Sequence, residues 1–81
     1  MTAWVVYTRP GCTLCDEFLE EFAHLLGPAE ASRVALVDVD SDADLQRKYG
    51  TRIPVLTADG EFVCNYRLDP ERLSAYLQDS P

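Results

Sequence analysis

The sequence predicts an α/β fold, a mixed sheet built in the order βαβαββα. Three observations carry this reading. Two runs of β-branched and aromatic residues, 3–8 and 34–39, are separated by a long apolar stripe at helical spacing. A second, shorter helical stretch follows and ends at Gly50. Two short apolar runs then flank Ala58-Asp59-Gly60, and the Asp-Gly pair supplies the residues that accept positive φ in a tight hairpin.

The first strand is Ala3-Trp4-Val5-Val6-Tyr7-Thr8, broken by Arg9-Pro10-Gly11. The first helix carries Cys15, Phe18, Leu19, Phe22, Leu25 and Leu26 on its apolar side, with Asp16, Glu17, Glu20, Glu21 and His24 facing water. Gly27-Pro28 is read as its stop. After the strand at 34–39, Asp40-Ser41-Asp42 offers capping oxygens to a helix over 42–49 closed by Gly50. Strands at 54–57 and 61–64 make the hairpin. Asp69-Pro70-Glu71 supplies an N-cap, a proline for the first turn and an acid for the helix dipole, opening a helix to about Gln78 with Leu73, Tyr76 and Leu77 inward. The first crossover implies parallel strands and the hairpin adds an antiparallel pair.

With 81 residues, the chain suits one domain over 1–81. At that size only about 60% of the unfolded surface is buried, so the stability margin is small. An apolar share of 47% excludes a disordered tail. Seven basic against fourteen acidic side chains leave a net charge of −7, which speaks against nucleic acid and against an anionic membrane surface. No stretch approaches the roughly 18 apolar residues of a membrane span. Met1 to Tyr7 shows no basic segment ahead of a long apolar one, so no secretory signal is read and a cytoplasmic location is expected. Structural disulfides are rare there, so three cysteines, two in Cys12-Thr13-Leu14-Cys15, point to chemistry or metal.

Cys12 at the mouth of the first helix and Cys15 one turn later bring their sulfurs within bridging reach. The free N–H groups and positive end of the helix favour a thiolate at Cys12. Cys15 lies on the apolar stripe, where desolvation keeps the thiol neutral. An exposed nucleophile with a shielded resolving partner is what thiol–disulfide exchange requires. Arg9 stabilises the thiolate if its guanidinium turns toward the site, while Asp16 and Glu17 oppose it; a modest net lowering of the Cys12 pKa and a reducing couple are expected. Two other readings stay open, a zinc half-site and inert packing. Zinc takes four ligands, and only Cys64 and His24 remain as spare donors, so no metal is assigned.

The block strand–Arg-Pro-Gly-Cys-Thr-Leu-Cys–helix resembles the thioredoxin-like superfamily, and glutaredoxins in particular. Tyr7-Thr8-Arg9 is similar to the aromatic-Ser-Lys segment before the first glutaredoxin cysteine. Val37-Asp-Val-Asp40, then Leu45-Gln-Arg-Lys-Tyr49-Gly50-Thr-Arg-Ile53-Pro54-Val-Leu, resembles the thioredoxin run from its third strand to its signature proline. The Asp59-Gly60-Glu61 hairpin is similar as well. The likeness extends to small glutaredoxin-like proteins with an Arg-Pro-Gly-Cys-x-Leu-Cys motif. It implies a four-stranded mixed sheet with helices on both faces, the first and third on one and the second on the other. It also implies a cis Ile53-Pro54 bond, which presents the Ile53 backbone to an extended substrate. Thr51, Arg52, Ile53 and Pro54 would then shape the substrate groove, with Arg52 able to anchor a carboxylate.

The departures from that family concern specificity. Thr13 stands where glutaredoxins carry proline and is, with Arg9, a candidate for tuning the thiolate; Leu14 replaces the usual Tyr or Phe. Glutaredoxins hold the γ-glutamyl end of glutathione with a glycine pair and an Asp. Here the stretch is Asn65-Tyr66-Arg67-Leu68-Asp69, with added side-chain bulk where backbone must approach ligand. Asp69 either faces a peptide amine or caps the last helix. The resemblance implies a disulfide reductase with Cys12 as nucleophile and Cys15 as resolver, acting on a protein disulfide or a glutathione mixed disulfide. It needs no cofactor beyond the dithiol, has glutathione as a candidate reductant, and is expected to be a monomer. The alternatives are a redox-idle peptide-binding module of the same fold and a thiolate site for metal or an iron–sulfur cluster.

Asp38-Val-Asp40-Ser-Asp42-Ala-Asp44 lacks the glycine and the final glutamate of a calcium loop and is read as strand end plus helix cap. Cys64, alternating with Phe62 and Tyr66, is read as a small buried hydrophobe, Trp4 as core and His24 as surface.

Overall fold

The computed structural model describes residues 2–78, with side chains through Tyr76. The elements are β1 (Trp4–Thr8), α1 (Thr13–Leu26), α2 (Pro28–Ala31), β2 (Ala35–Asp38), a 3-10 turn (Val39–Ser41), α3 (Ala43–Tyr49), β3 (Val55–Ala58), β4 (Glu61–Asn65) and α4 (Pro70–Gln78). The strands form one sheet in the order β2-β1-β3-β4. β2 runs parallel to β1, while β3 pairs antiparallel with β1 and β4 with β3. The βαβαββα order therefore holds, with the 3-10 turn and one further turn of α-helix added to the sequence pattern.

That extra α-helical turn is α2. Gly27 at φ 84° ends α1, and Pro28 then occupies the first helical position of α2, where its fixed φ and missing N–H are tolerated. The pair read as a stop is thus a stop and a restart. α2 also supplies Glu30, whose Oε1 accepts a hydrogen bond from the Trp4 indole N–H at 3.3 Å. The indole is thereby satisfied in a side chain only 1% exposed.

The two-residue period of the strands separates the sheet faces. Trp4 and Val6 pair with Ala58 and Leu56. On that face they join Phe18 and Phe22 of α1, Leu73 of α4, and Val63, Cys64 and Leu68 in the main core. Trp4 meets Phe22 edge to face, with ring centroids 5.4 Å apart. Tyr7 points to the opposite face, where Tyr49 of α3 stacks on it at 4.5 Å. α1 and α4 thus cover one face and α3 the other, as the resemblance implied.

Three local expectations are corrected, and one exposed apolar residue is added. Leu25 is exposed, so the buried stripe of α1 is narrower than its apolar one. Leu36 is exposed because β2 is an edge strand. In β4 the pairing jumps from Leu56–Cys64 to Thr57–Phe62, leaving Val63 as the extra residue of a β-bulge. The bulge breaks the alternation: Val63 and Cys64 are both buried while Phe62 is exposed on the other side, and Tyr66, past the end of β4 at φ 65°, is exposed as well. Gly50 has helical values, φ −54° and ψ −30°, rather than a left-handed cap geometry. Its need is space, since a Cβ there would be driven into the Gln46 carbonyl oxygen. Leu77, expected inward, has its side chain outside the described set.

The hairpin follows the sequence signal, with Asp59 at φ 51° and Gly60 at φ 84°. Asp59 also exchanges hydrogen bonds with Ala3: its N–H donates to the Ala3 carbonyl at 2.9 Å, and its Oδ1 accepts from the Ala3 N–H at 2.8 Å.

Candidate active site

The site forms where β1 ends. Gly11 takes φ 79°, a left-handed value suited to glycine, and the Cys12 N–H donates to the Arg9 carbonyl at 3.2 Å to close the turn. Cys12 itself is the N-cap of α1, with extended backbone at φ −85° and ψ 102°. Its Sγ accepts a hydrogen bond from the Cys15 N–H at 3.2 Å, so a sulfur fills the role that Ser or Asp oxygen usually plays at a helix start. Cys12 and Cys15 are joined as a disulfide, with Cα atoms 5.2 Å apart. Cys15 is 1% exposed, whereas Cys12 is half-buried. Cys12 is the more accessible residue and Cys15 the shielded one, the asymmetry expected from spacing.

Thr13 is the first helical residue and is exposed. Arg9 turns elsewhere than its sequence position suggests. Its guanidinium is gripped by Asp40, Nε to Oδ2 at 2.9 Å and Nη2 to Oδ1 at 3.1 Å. Gln46 donates to the same carboxylate at 3.0 Å. The hydrogen bond from Arg9, then that from Gln46, holds the Asp40 carboxyl below its ordinary range, and the same pair keeps Arg9 firmly charged. Asp40 is free for this because Asp38 and Asp42 are capping and Asp44 pairs with Arg47. Asp38 accepts from the Asp40 N–H at 2.8 Å, and Asp42 accepts from the Asp44 N–H at 2.7 Å. That capping is the reading the sequence favoured over a calcium loop.

Pro54 follows a cis peptide bond from Ile53, as the resemblance implied, and is buried. Antiparallel pairing of Tyr7 with Val55 puts the start of β3 beside the end of β1, so the 51–54 loop lies at the same end of the sheet as the Arg9–Cys12 turn. Thr51 and Arg52 are exposed and Ile53 is half-buried.

Two residues that sequence reasoning did not single out control this loop. The Tyr66 N–H donates to the Pro54 carbonyl at 2.9 Å, and its phenol donates to the Thr51 carbonyl at 2.9 Å. Asn65 Nδ2 donates to the Arg52 carbonyl at 3.2 Å. Tyr66 sits at φ 65°, left-handed backbone that a bulky residue seldom adopts. The sequence signal was the absence of glycine in that stretch.

Asp69 caps α4: its Oδ1 accepts from the Glu71 and Arg72 N–H groups at 3.1 and 3.2 Å, and its Oδ2 lies 3.7 Å from Arg72 Nε. Cys64 is 4% exposed, and burial pushes its thiol pKa up, offset in part by a hydrogen bond from the Asp69 backbone. His24 is exposed near the end of α1. No cluster of three or more metal-ligating side chains occurs among the described residues. No described helix is long and apolar enough to cross a membrane.

The family model of the glutaredoxin-like domain (DUF836) matches residues 4–78. The chain belongs to this family. Among solved structures, protein Ne2328 from Nitrosomonas europaea is 32% identical over 93% of this chain and 89% of its own, with a TM-score of 0.80. Protein XcR50 from X. campestris is 34% identical over 98% of this chain and 96% of its own, with a TM-score of 0.67. Fasciola hepatica thioredoxin, at 21% identity, covers 99% of this chain and 81% of its own with a TM-score of 0.57, a likeness of fold alone. No curated protein matches the chain. The glutaredoxin-like domain is thus a thioredoxin-type α/β fold carrying a paired Cys12–Cys15 at the mouth of its first helix.

Proposed function

We propose that the protein is a thiol–disulfide oxidoreductase that reduces disulfides with the Cys12–Cys15 dithiol. The observation that carries the reading is the Cys12 sulfur capping α1 with the Cys15 N–H directed at it, over a buried partner sulfur. A hydrogen bond and a helix N-terminus aimed at one sulfur favour its anion, and the thiolate is the nucleophile of exchange.

The Cys12 thiolate attacks one sulfur of a substrate disulfide. The S–S bond breaks, its other sulfur leaves as a thiolate, and a Cys12–substrate mixed disulfide forms. Cys15, deprotonated as it attacks, displaces the second substrate sulfur from Cys12 and closes the Cys12–Cys15 disulfide. Two electrons pass to the substrate, and its two thiolates take up the Cys15 proton and one proton from solvent. Return to the dithiol needs two reducing equivalents from an external thiol, glutathione or a protein dithiol. With Arg9 committed to Asp40, tuning of the thiolate is left to the helix N-terminus and exposed Thr13, and the Ile53 backbone beside Pro54, flanked by Thr51 and Arg52, pairs with the substrate. The protein acts as a cytoplasmic monomer on a disulfide-containing protein or a glutathione mixed disulfide, without metal.

Reduction of insulin and of hydroxyethyl disulfide by wild type and by Cys12→Ser tests this. Loss of both activities in the variant is expected. Equal rates in the two proteins would overturn it and leave a peptide-binding module with idle cysteines.

A further inference from the structure

We propose that Tyr66 is a specificity-determining residue that bars glutathione from the groove beside Cys12, reserving the site for disulfides in extended polypeptide. The inference rests on the oxidoreductase reading and names its substrate class.

A peptide ligand docks on a loop of this kind through backbone hydrogen bonds. Three of the carbonyls on the 51–54 loop are already engaged from within the chain: Thr51 by the Tyr66 phenol, Arg52 by Asn65 and Pro54 by the Tyr66 N–H. Among the described residues no hydrogen bond engages the Ile53 N–H or carbonyl, which makes them the most open groups for a partner. An extended strand uses them well, because strand pairing takes both hydrogen bonds from one residue and passes over the next. A tripeptide, with few backbone groups and two charged ends, needs more anchors than one residue supplies.

Space and charge agree. Between Leu14 and Phe18 of α1 and the 66–68 segment there is a cavity of only ≈ 20 Å³, room for about one water molecule. A γ-glutamyl group does not enter it. Glu17 and Glu21 line the same space, with Arg67 the one cation among the described residues there, so the local charge opposes a ligand of net negative charge. Tyr66 holds this arrangement in a backbone conformation its own side chain disfavours (φ 65°). Strain of that kind persists where the surroundings over-determine it and is concentrated at functional sites.

The test uses Tyr66→Gly, which accepts the same φ without penalty, and Tyr66→Phe, which removes only the bond to Thr51. The readout is the ratio of initial rates on a glutathionylated peptide and on insulin, with one excess dithiol as reductant. Tyr66→Gly is expected to raise that ratio about tenfold or more and Tyr66→Phe by a smaller factor. A second arm titrates reduced glutathione into Cys12→Ser and Cys12→Ser/Tyr66→Gly, followed by amide NMR shifts. Saturable shifts at residues 51–54 and 65–69 in the double variant alone support the proposal. An unchanged rate ratio overturns it, as does glutathione binding by both proteins or by neither. If wild type reduces no disulfide, the oxidoreductase reading fails by itself and the binding arm still decides the role of Tyr66.

Discussion

The Cys12 cap can be isolated by replacing the sulfur twice, with Cys12→Ser and Cys12→Ala. Both variants lack the disulfide, so its contribution cancels between them. Ser Oγ can take the hydrogen bond that the Cys15 N–H now gives Cys12 Sγ at 3.2 Å, and Ala cannot. The rest of the local geometry, extended at the cap and helical from Thr13, suits either residue. The difference is therefore the worth of one N-cap, about 1 kcal/mol within a range of roughly 0.5–2. At roughly 0.05–0.15 kcal/mol per residue, the whole chain has a margin of about 4–12 kcal/mol, so the change is measurable. It corresponds to a melting temperature about 4–8 °C lower for Cys12→Ala than for Cys12→Ser. Urea unfolding under reducing conditions reads it through the fluorescence of Trp4, which is 1% exposed. Midpoints that coincide would refute the reasoning. The N–H would then not be bonded to the residue-12 side chain, and its stabilisation of a Cys12 thiolate would fall too.

Phe22 is fully buried against Trp4 and sits on the helix that carries both cysteines. Phe22→Ala is expected to cost about 3–5 kcal/mol, a large part of the chain's margin, as seen in the denaturant midpoint; a loss below about 1 kcal/mol would contradict the packing described. The Asp40 carboxyl, held low by Arg9 and then by Gln46, contributes stability that is fully present above the ordinary carboxylate range and is lost as pH falls through its folded value. Stability of Asp40→Asn should accordingly fall less steeply than that of wild type below about pH 4, measured as urea midpoints across the acid range. Parallel acid slopes would show that the pair does nothing in solution.

The parts of this fold that could be read from sequence are those in which residue type and local conformation agree. Asp59-Gly60 suits a positive-φ turn and forms one. The stripe through Phe18 and Phe22 suits a helix packed on one face and reaches the core. The cysteine asymmetry follows from helix period alone, Cys12 at the cap and Cys15 on the buried stripe. What could not be read depends on partners distant in sequence. Whether Arg9 faces the thiolate or an acid is decided by Asp40, 31 residues away. The β4 bulge lies in the register between two strands, and it places Cys64 and Phe62 on different sides where simple alternation puts them together.

Tyr66 is the opposite of the Asp-Gly turn, a residue whose local preference and native conformation conflict. Propensity sends an aromatic residue to extended backbone, yet Tyr66 is held at φ 65° by a bond from its N–H to Pro54 and another from its phenol to Thr51. Left-handed backbone disfavours an L side chain by about 1–2 kcal/mol, and glycine would avoid that cost. Glycine would also leave the Thr51 carbonyl open and widen the space beside Leu14. A chain under selection for stability alone has little reason to place tyrosine there, the phenol's bond to Thr51 only about offsetting the backbone cost. One that must hold the 51–54 loop closed to small ligands has one, because the ring that strains the backbone is also what reaches across to Thr51.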